Sequence, residues 1–516
     1  MKYPIGIQNF EKIRREGFVY VDKTALIYRL ASEGNYYFLS RPRRFGKSLL
    51  LSTMESYFLG EKDLFEGLAI SELEDKWDRH PIFHLDLNTE KYDTEQALDD
   101  KLNLALTNWE RLYGGNLHEK SLSTRFEGVI ARAAQQTGRR VVILVDEYDK
   151  PMLQAIENDE LQDAYRNTLK AFYGALKSCD KYIRFAFLTG VTKFGKVSVF
   201  SDLNNLLDIS FDRRYVGLCG ISEKELHENF DPSVELLAAA NGLGKAECYD
   251  RLREDFDGYH FEWNTEGIYN PFSLLNTLAS CQFRDYWFET GTPTFLVRQL
   301  QKTHYRLDEM THEGLSADTL NSIDIMDENP LPLLYQSGYL TIREYDKRFG
   351  IFKLGFPNRE VKEGFIKYLV PFYTPKTDNK TMFSIDKFVR DVEQGRADDF
   401  MRRLETFFAG GDYAIMGDKE LYFQNAMFVF FMLLGLYVEV ERHTTNGRMD
   451  VLVQTNDYVY IFELKIDQNA EEALQQIVDK GYARPFANDS RKLFKIGVNF
   501  STEYRCIDDW KVKNDE

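Results

Sequence analysis

The sequence of 516 residues is poor in cysteine and in long apolar runs, and each shortage excludes a class of protein. Its five cysteines lie at least 29 residues apart, without the Cys-x-x-Cys spacing of zinc or redox sites, so we expect reduced thiols. The N-terminus has no apolar signal core, and the longest apolar run, residues 426–438, is too short to span a bilayer. We therefore expect a soluble, cytoplasmic chain with no membrane partner.

Positive charge is also scarce, since 65 Lys and Arg face 82 Asp and Glu and leave a net charge of −17. This balance argues against wholesale attraction to nucleic acid, so any such contact must be local. Residues 1–60 reverse the balance, with ten basic and five acidic residues. A hydrophobic content of 43% suits packed cores, and the length favours two to four domains.

The basic region contains the second half of a phosphate-binding loop, Gly46-Lys47-Ser48. It follows an apolar run at 36–39 and precedes a helical apolar pattern that stops at Gly60, which predicts strand, loop and helix. In that setting the loop amides face an anion, Lys47 reaches the terminal phosphates, and the Ser48 hydroxyl can ligate Mg²⁺. We therefore expect ATP with Mg²⁺ or Mn²⁺ at a loop formed by Arg43, Arg44, Phe45, Gly46, Lys47 and Ser48.

The loop departs from the usual pattern at its first position, where Arg41 stands in place of glycine. Pro42 removes one amide donor, while Arg41, Arg43 and Arg44 add positive charge. Phosphate binding therefore remains the prediction, but hydrolysis is the weaker inference. The alternative is a basic, solvated loop at the start of an ordinary helix.

A second signal follows about 100 residues later, where the apolar run 141–145 ends in Asp146-Glu147. Beside a phosphate loop, Asp146 would hold Mg²⁺, usually through water, and Glu147 would polarise the attacking water. Another predicted strand, 183–188, ends at Thr189, a candidate sensor of the γ-phosphate or simply a turn residue. Asp149 is a further carboxylate with no assigned role.

Arg213 and Arg214 are candidates for completing the phosphate site, either within the chain or from a neighbouring subunit. Such arginines more often form surface ion pairs. A homo-oligomer is therefore left open.

Several segments together resemble one known family. They are YVDKT at 20–24, SRPRRFGKS at 40–48, LVDEYDK at 144–150, LTGVTKFG and FSDLNNLLD within 188–208, FDGYHF at 256–261, YNPFSLL at 269–275 and YWFETG at 286–291. The sequence resembles prokaryotic AAA-ATPase-like proteins that carry a C-terminal PD-(D/E)XK nuclease domain. The resemblance implies that arginine at the first loop position is the family's own form of the loop.

For the middle of the chain, the sequence predicts a lid followed by a winged-helix-like module. Ser222 and Glu225 form a capping-box pattern before a helical, aromatic-rich stretch that runs to about residue 300. A helix at 332–337 and strands at 339–345 and 351–356 follow, and the hairpin could contact DNA or pack against the ATPase. The polar segment 374–381 reads as a linker. We predict an α/β protein with an AAA-like P-loop domain at 1–220, a helical lid and winged-helix-like region at 221–373, and an α/β nuclease-like domain at 374–516.

The C-terminal region contains a candidate second active site on a hairpin. A two-residue turn at 456–457 would set Asp450 opposite Glu463, and the alternation of strand residues places Lys465 on the same face as Glu463. Two opposed carboxylates need a cation between them, and Mg²⁺ or Mn²⁺ fits. Lys465 would position the attacking water or neutralise the scissile phosphate. The alternative is an exposed hairpin with a Glu/Lys pair.

Flanking residues match the nuclease superfamily as the resemblance implies. Glu441 corresponds to its extra acidic residue, and the helix around 473–477 to the one that follows the hairpin. Gln476 is the favoured contributor from this helix, and Gln475 is the alternative.

The leading interpretation is an ATP-binding protein whose AAA-like module controls a metal-dependent nuclease, with DNA the favoured nucleic acid. Two other classes compete: a nucleotide-dependent switch or scaffold with an inactive nuclease fold, and a nucleic-acid-binding ATPase that remodels without cutting.

Overall fold

The computed structural model describes the chain except residues 194–204, 290–295, 297–298, 301–302, 304, 312, 322–328, 374–384, 410–418, 446–447, 505 and 515–516. It describes the backbone alone of residues 289, 311, 321, 373, 409, 419–422, 441–445 and 448–450. The predicted linker at 374–381 therefore lies outside the described residues. The chain forms two compact units, Met1–Leu296 with Glu313–Val361, and Val297–His312 with Lys362–Glu516.

The first unit is built on a parallel sheet of five strands. These are β1 (Tyr36–Ser40), β2 (Ile82–Asp86), β3 (Val141–Asp146), β4 (Ile183–Gly190) and β5 (Leu207–Asp208), in the spatial order β2-β3-β4-β1-β5. All four pairings are parallel, and every residue of β3 is buried, as the unbroken apolar run predicts. Because β4 lies between β1 and β3, the carboxyl ends of these three strands meet at one edge.

Eight helices of the described chain accompany this sheet. They are α1 (Phe10–Glu16), α2 (Thr24–Glu33), α3 (Lys47–Phe58), α4 (Ile70–Leu73), α5 (Glu95–Tyr113), α6 (Leu122–Thr137), α7 (Lys150–Gln154) and α8 (Asp159–Ser178). The phosphate-loop helix α3 begins after Gly46, whose φ of 95° is left-handed and suits glycine. The predicted order of strand, loop and helix is confirmed.

In its described residues, the lid region contains a small antiparallel pair and four helices. The pair is β6 (Ile221–Ser222) with β7 (Ile268–Tyr269), and the helices are α9 (Glu223–Asn241), α10 (Lys245–Phe256), α11 (Pro271–Ser280) and α12 (Tyr286–Glu289). The predicted capping box at Ser222 and Glu225 is present at the start of α9. Helices α9, α10 and α11 bury a common apolar cluster, so aromatic side chains such as Phe230 and Phe256 serve as core.

The helix-and-hairpin prediction is confirmed with shifted ends. The segment contains β8 (Gly314–Ser316), α13 (Ala317–Asn321), α14 (Leu331–Gln336), β9 (Thr341–Asp346) and β10 (Ile351–Gly355), and its three strands pair antiparallel in the order β8-β10-β9. Strand β8 escaped prediction because three residues are too few to reveal alternation. Helix α15 (Arg359–Tyr373) follows.

The second unit contains a mixed sheet in the order β11-β12-β13-β14-β15. Its strands are β11 (Glu439–Thr445), β12 (Arg448–Gln454), β13 (Tyr458–Ile466), β14 (Lys492–Ser501) and β15 (Cys506–Asn514), and only β13 and β14 pair in parallel. Its helices are α16 (Ile385–Glu393), α17 (Ala397–Ala409), α18 (Lys419–Leu434) and α19 (Ala470–Asp479). The α/β class predicted for both parts of the chain is confirmed.

The predicted register of the hairpin is confirmed, but its second strand is more deeply buried than alternation predicts. Asp450 pairs with Glu463, and the amide of Thr455 donates to the carbonyl of Tyr458 across the turn. Alternation along the strand would bury only the face that carries Phe462 and Leu464, yet Glu463 and Lys465 are also buried. The reason is that β13 is central in the sheet and α19 packs over it. A side chain at Gly497 of β14 would meet the Ala470 carbonyl at 2.2 Å, so glycine permits this close approach.

No helix in the described part of the chain is long and apolar enough to cross a membrane. All five cysteines are described, and all are unpaired thiols, as their spacing predicts.

Candidate functional sites

The phosphate loop is wrapped around the side chain of Lys47, the first residue of α3. Its Nζ donates to the carbonyls of Arg41 at 3.1 Å and Pro42 at 3.3 Å. The same Nζ lies 3.4 Å from a carboxylate oxygen of Glu147. The left-handed φ of Arg44, 68°, tightens the turn along with Gly46. The loop thus holds a buried ammonium at the helix N-terminus, where an anion is favoured.

Arg41 does not add its charge to the loop, contrary to our expectation. Its guanidinium is buried and donates to the carbonyls of Ser40 and Ser210, each at 2.9 Å. It also lies 3.9 Å from the ring centre of Phe261. The side chain is therefore turned into the protein, where carbonyl oxygens and an aromatic face offset the cost of burying a cation.

Arg43, Arg44 and Phe45 of the loop have different surroundings. Arg43 and Arg44 line a cavity beside Lys47, and the guanidinium of Arg44 lies 5.0 Å from the ring centre of Phe272. Phe45 is buried and packs edge-on against Tyr259 and Phe261. Phe45 thus anchors the loop by its side chain and leaves only its backbone available to a ligand.

Asp146, Ser48 and Thr189 converge at the ends of neighbouring elements. The hydroxyl of Thr189, on β4, donates to Asp146 Oδ1 at 2.8 Å. Burial raises the pKa of Asp146, and the nearby side chain of Ser48 partly offsets that rise. The hydroxyl and carboxylate are hard oxygen donors, which are the ligands that Mg²⁺ accepts, so these residues fit the predicted ion.

Glu147 follows β3 with a φ of 53°, an unusual value for a residue with a side chain. Burial alone would raise its pKa, but the charges of Lys47, Arg43 and Lys150 outweigh burial and lower it. Glu147 is therefore ionised at neutral pH and able to accept a proton from water.

Asp149, which had no assigned role, ties the ends of two strands together. Its Oδ2 accepts hydrogen bonds from the amide and the hydroxyl of Thr192, both at 2.6 Å, and from the amide of Val191 at 3.1 Å. Burial, followed by the negative charge of Glu147, raises its pKa to about 6. The acidic segment after β3 is thus hydrogen-bonded to the residues that follow β4.

The cavity beside the loop has a volume of about 410 Å³. Its polar lining includes Lys47, Ser48 and Glu147, and it also has an apolar wall formed by Ile5, Ile7, Leu49, Phe272, Leu275 and Trp287. Sequence reasoning missed the contribution of the N-terminal segment and of the residues after the lid. No local motif marks them, because they reach the cavity only through the tertiary fold.

The two arginines proposed to complete the phosphate site do not line this cavity. Both are exposed, and Arg214 forms ion pairs with Asp212 at 2.6 Å and with Glu33 at 3.3 Å. Arg214 therefore forms a surface ion pair, which was the alternative to a role at the phosphate site.

The second site is a buried polar cluster on β13. Lys465 Nζ donates to Glu463 Oε1 at 2.6 Å and to Gln476 Oε1 at 2.7 Å. The amide nitrogen of Gln476 in turn donates to Glu463 Oε1. Gln475 instead bonds to Asp479 on the exposed side of α19. Of the two glutamines, Gln476 is the one that joins the cluster.

The remaining predicted residues of this site are located by their backbone alone. Asp450 on β12 pairs with Glu463, while Glu441 on β11 pairs with Leu452. No group of three or more His, Cys, Asp and Glu suited to a metal occurs among the described residues, a set that leaves out the side chains of Asp450 and Glu441. The paired positions of Asp450 and Glu463 offer oxygen donors only, which fits a hard divalent cation.

A third feature is the exposed tip of the β9–β10 hairpin. Lys347 and Arg348 are exposed there, and Phe349 keeps 64% of its surface accessible. Lys347 Nζ lies 4.6 Å from the ring centre of Trp263, which packs on Tyr345 at 5.3 Å. The tip therefore combines two cations with aromatic rings.

Comparisons with known proteins agree with this geometry. Residues 4–200 match the family model described as a predicted AAA-ATPase, and residues 418–510 match that of the PD-(D/E)XK nuclease superfamily. The chain is also 37% identical over 527 residues to a protein of Azotobacter chroococcum mcd 1 described as "Uncharacterized protein in vnfD 5'region", and the alignment covers 98% of both chains.

The fold and the matches define an α/β protein that joins an AAA-ATPase-like domain to a C-terminal PD-(D/E)XK nuclease domain. The chain belongs to this predicted AAA-ATPase family, and the resemblance drawn from its motifs is confirmed.

Proposed function

We propose that the protein binds ATP with Mg²⁺ at the phosphate loop and that this module controls a divalent-metal-dependent nuclease in the C-terminal domain. DNA is the favoured substrate. The two family matches support the pairing of activities, and the residues around Lys47 and Lys465 support the chemistry assigned to each site.

At the nucleotide site, Lys47 binds the terminal phosphates, and the loop amides together with the N-terminus of α3 stabilise their charge. Ser48 and Asp146 would hold Mg²⁺, which would supply positive charge to stabilise the terminal phosphates. Thr189 fixes the carboxylate of Asp146 through its 2.8 Å hydrogen bond. Glu147, whose pKa is lowered, takes a proton from the attacking water.

At the nuclease site, Asp450 and Glu463 would hold Mg²⁺ or Mn²⁺, which supplies charge stabilisation to the scissile phosphate when bound. Lys465 orients the attacking water or neutralises the phosphate, and Gln476 holds the ammonium of Lys465 in place. Glu441 is proposed as a further acidic contributor. These roles require Lys465 to be a fixed cation, and its burial with two hydrogen-bonded partners supports that requirement.

The hairpin tip supports nucleic acid as the partner. Two exposed cations, Lys347 and Arg348, suit phosphate contacts, and the ring of Phe349 offers a face on which a base can stack. The net charge of −17 disfavours nucleic-acid binding over most of the chain, so a local basic site of this kind is what the charge balance requires.

One observation carries the nuclease proposal: a lysine and a glutamate buried together on the strand that pairs with Asp450. Packing alone does not require charged side chains at Glu463 and Lys465, and burying two charges is unfavourable in free energy. The test is incubation of the full-length protein with end-labelled DNA and RNA, with and without ATP and Mn²⁺. We expect Mn²⁺-dependent cleavage of DNA at a rate that changes with ATP. Failure to cut either nucleic acid under all conditions would contradict the proposal.

A nucleotide-dependent switch is the second candidate, and one observation favours it. Arg41 replaces the first loop glycine and is used to anchor the loop rather than to contact phosphate. Such a loop can bind ATP without fast turnover. Release of phosphate by the purified protein separates the two candidates, because a switch binds ATP and releases none.

A further inference from the structure

Glu360, the second residue of α15, is a buried acid whose side chain is only 3% exposed. Its Oε1 accepts a hydrogen bond from the backbone amide of Trp287 at 2.7 Å and another from the hydroxyl of Ser273 at 3.0 Å. Trp287 is the second residue of α12, where the backbone amides of a helix have no acceptor within the helix, and Ser273 lies in the first turn of α11. One carboxyl oxygen thus joins the beginnings of two helices.

These two helices form part of the apolar wall of the cavity beside the phosphate loop. Phe272 and Leu275 of α11 line that wall, as does Trp287 of α12. The indole Nε1 of Trp287 also donates to the carbonyl of Arg43 at 3.3 Å, which connects the wall to the loop. The polar end of the cavity, at Lys47, suits phosphates, so the apolar wall is the surface that suits the base and ribose of a nucleotide.

The surroundings of Glu360 favour its neutral form. Burial raises the pKa of Glu360 to about 8, although its two hydrogen bonds act in the opposite direction, and the negative charges of Asp285 and Asp255 add to the rise. The hydroxyl of Tyr259 is a further titratable group nearby. The neighbouring cation, Arg359, lies 3.4 Å from a carboxylate oxygen of Asp255. Glu360 therefore carries a proton at neutral pH, while its Oε1 accepts both hydrogen bonds.

We propose that Glu360 is a positioning residue of the nucleotide site, where its carboxyl group holds Trp287 and α11 in the arrangement that receives the base of the bound nucleotide. The proposal rests on the proposed nucleotide site. Because this arrangement keeps the carboxyl group protonated, a rise in pH favours states in which Glu360 is ionised and the wall is displaced. Binding of the base therefore weakens as the pH rises toward 8 and beyond.

The test compares ATP with inorganic tripolyphosphate, which has the phosphates but no base, by calorimetry on the full-length protein with Mg²⁺. In wild type, the ratio of ATP affinity to tripolyphosphate affinity should fall about tenfold between pH 7 and pH 9, which is the effect of one proton held at a pKa of about 8. Effects of pH on the phosphates and on the loop are common to both ligands and cancel in the ratio. Glu360→Gln, which is uncharged and keeps the acceptor oxygen, should have the wild-type ratio at pH 7 and the same ratio at pH 9.

Two further variants separate this role from a general effect on the fold. Glu360→Ala removes the acceptor used by Trp287 and Ser273 and should weaken ATP binding about tenfold at pH 7, while tripolyphosphate affinity stays within about twofold of wild type. Glu344→Gln, at an exposed glutamate of the same unit, should behave as wild type.

A wild-type ratio that does not change with pH, or a ratio in Glu360→Gln that falls as it does in wild type, would overturn the inference. Equal losses of ATP and tripolyphosphate affinity in Glu360→Ala would also overturn it. Failure of wild type to bind either ligand would instead overturn the proposed function.

Discussion

The buried ion pair between Glu463 and Lys465 leads to a measurable prediction about stability. The two side chains are 0% and 3% exposed, and their charged atoms lie 2.6 Å apart. At an effective dielectric constant of about 20, the Coulomb attraction at this distance is about 6 kcal/mol. Desolvation of both charges offsets much of that attraction, so the pair itself contributes little net stability.

Removing one partner has a different effect, because the other charge stays buried. Lys465→Met preserves the volume of the side chain but leaves the Glu463 carboxylate without its cation. We expect this variant to lose about 3–5 kcal/mol in the free energy of unfolding. The double variant Glu463→Gln/Lys465→Met removes both charges and should recover most of that loss.

Chemical denaturation of the full-length protein measures both variants, with the transition of the C-terminal domain followed by circular dichroism. Gln475→Ala, on the exposed side of α19, is the matched control and should change the free energy by less than about 0.5 kcal/mol. Millimolar Mn²⁺ should restore part of the stability of Lys465→Met, since a cation compensates the orphaned carboxylate. A single variant within about 1 kcal/mol of wild type, or a double variant as unstable as the single, would refute this reasoning.

Three further predictions concern the nucleotide site and the hairpin tip. Lys47→Ala removes the ammonium from the phosphate loop and should abolish ATP binding in calorimetry, and wild-type affinity in this variant would exclude the loop as the site. Glu147→Gln keeps the shape of the side chain but removes the proton acceptor, so it should bind ATP and lose phosphate release, which a malachite-green assay measures against wild type. Lys347→Glu combined with Arg348→Glu should weaken DNA binding about tenfold or more at low salt and flatten its dependence on salt, as fluorescence anisotropy would record. Equal binding by wild type and this double variant would show that the tip does not contact DNA.

Much of the fold could be predicted from the sequence, because the strongest signals are local. The unbroken apolar run before Asp146 is typical of a buried parallel strand, and the capping box at Ser222 is contained in four residues. The hairpin register follows from a two-residue turn and the alternation of strand side chains, which together set Asp450 against Glu463.

The predictions from sequence that failed concern the direction in which side chains point and the surroundings they meet. Sequence alone does not reveal that Arg41 turns inward, since the carbonyl that receives it belongs to Ser210, 169 positions away. The burial of Lys465 depends on the packing of α19, which alternation within one strand does not report. Ile5 belongs to the apolar wall of the cavity for the same reason, since contacts distant in the chain carry it there.

The measurement that tests the central claim most directly is cleavage of end-labelled DNA in Mn²⁺ by wild type and by Asp450→Asn. This substitution is nearly isosteric and removes one of the two anionic oxygen ligands proposed for the cation. We predict cleavage by wild type, a loss of about 100-fold or more in the variant, and the same ATP affinity in the two proteins. Undiminished cleavage by Asp450→Asn would contradict it.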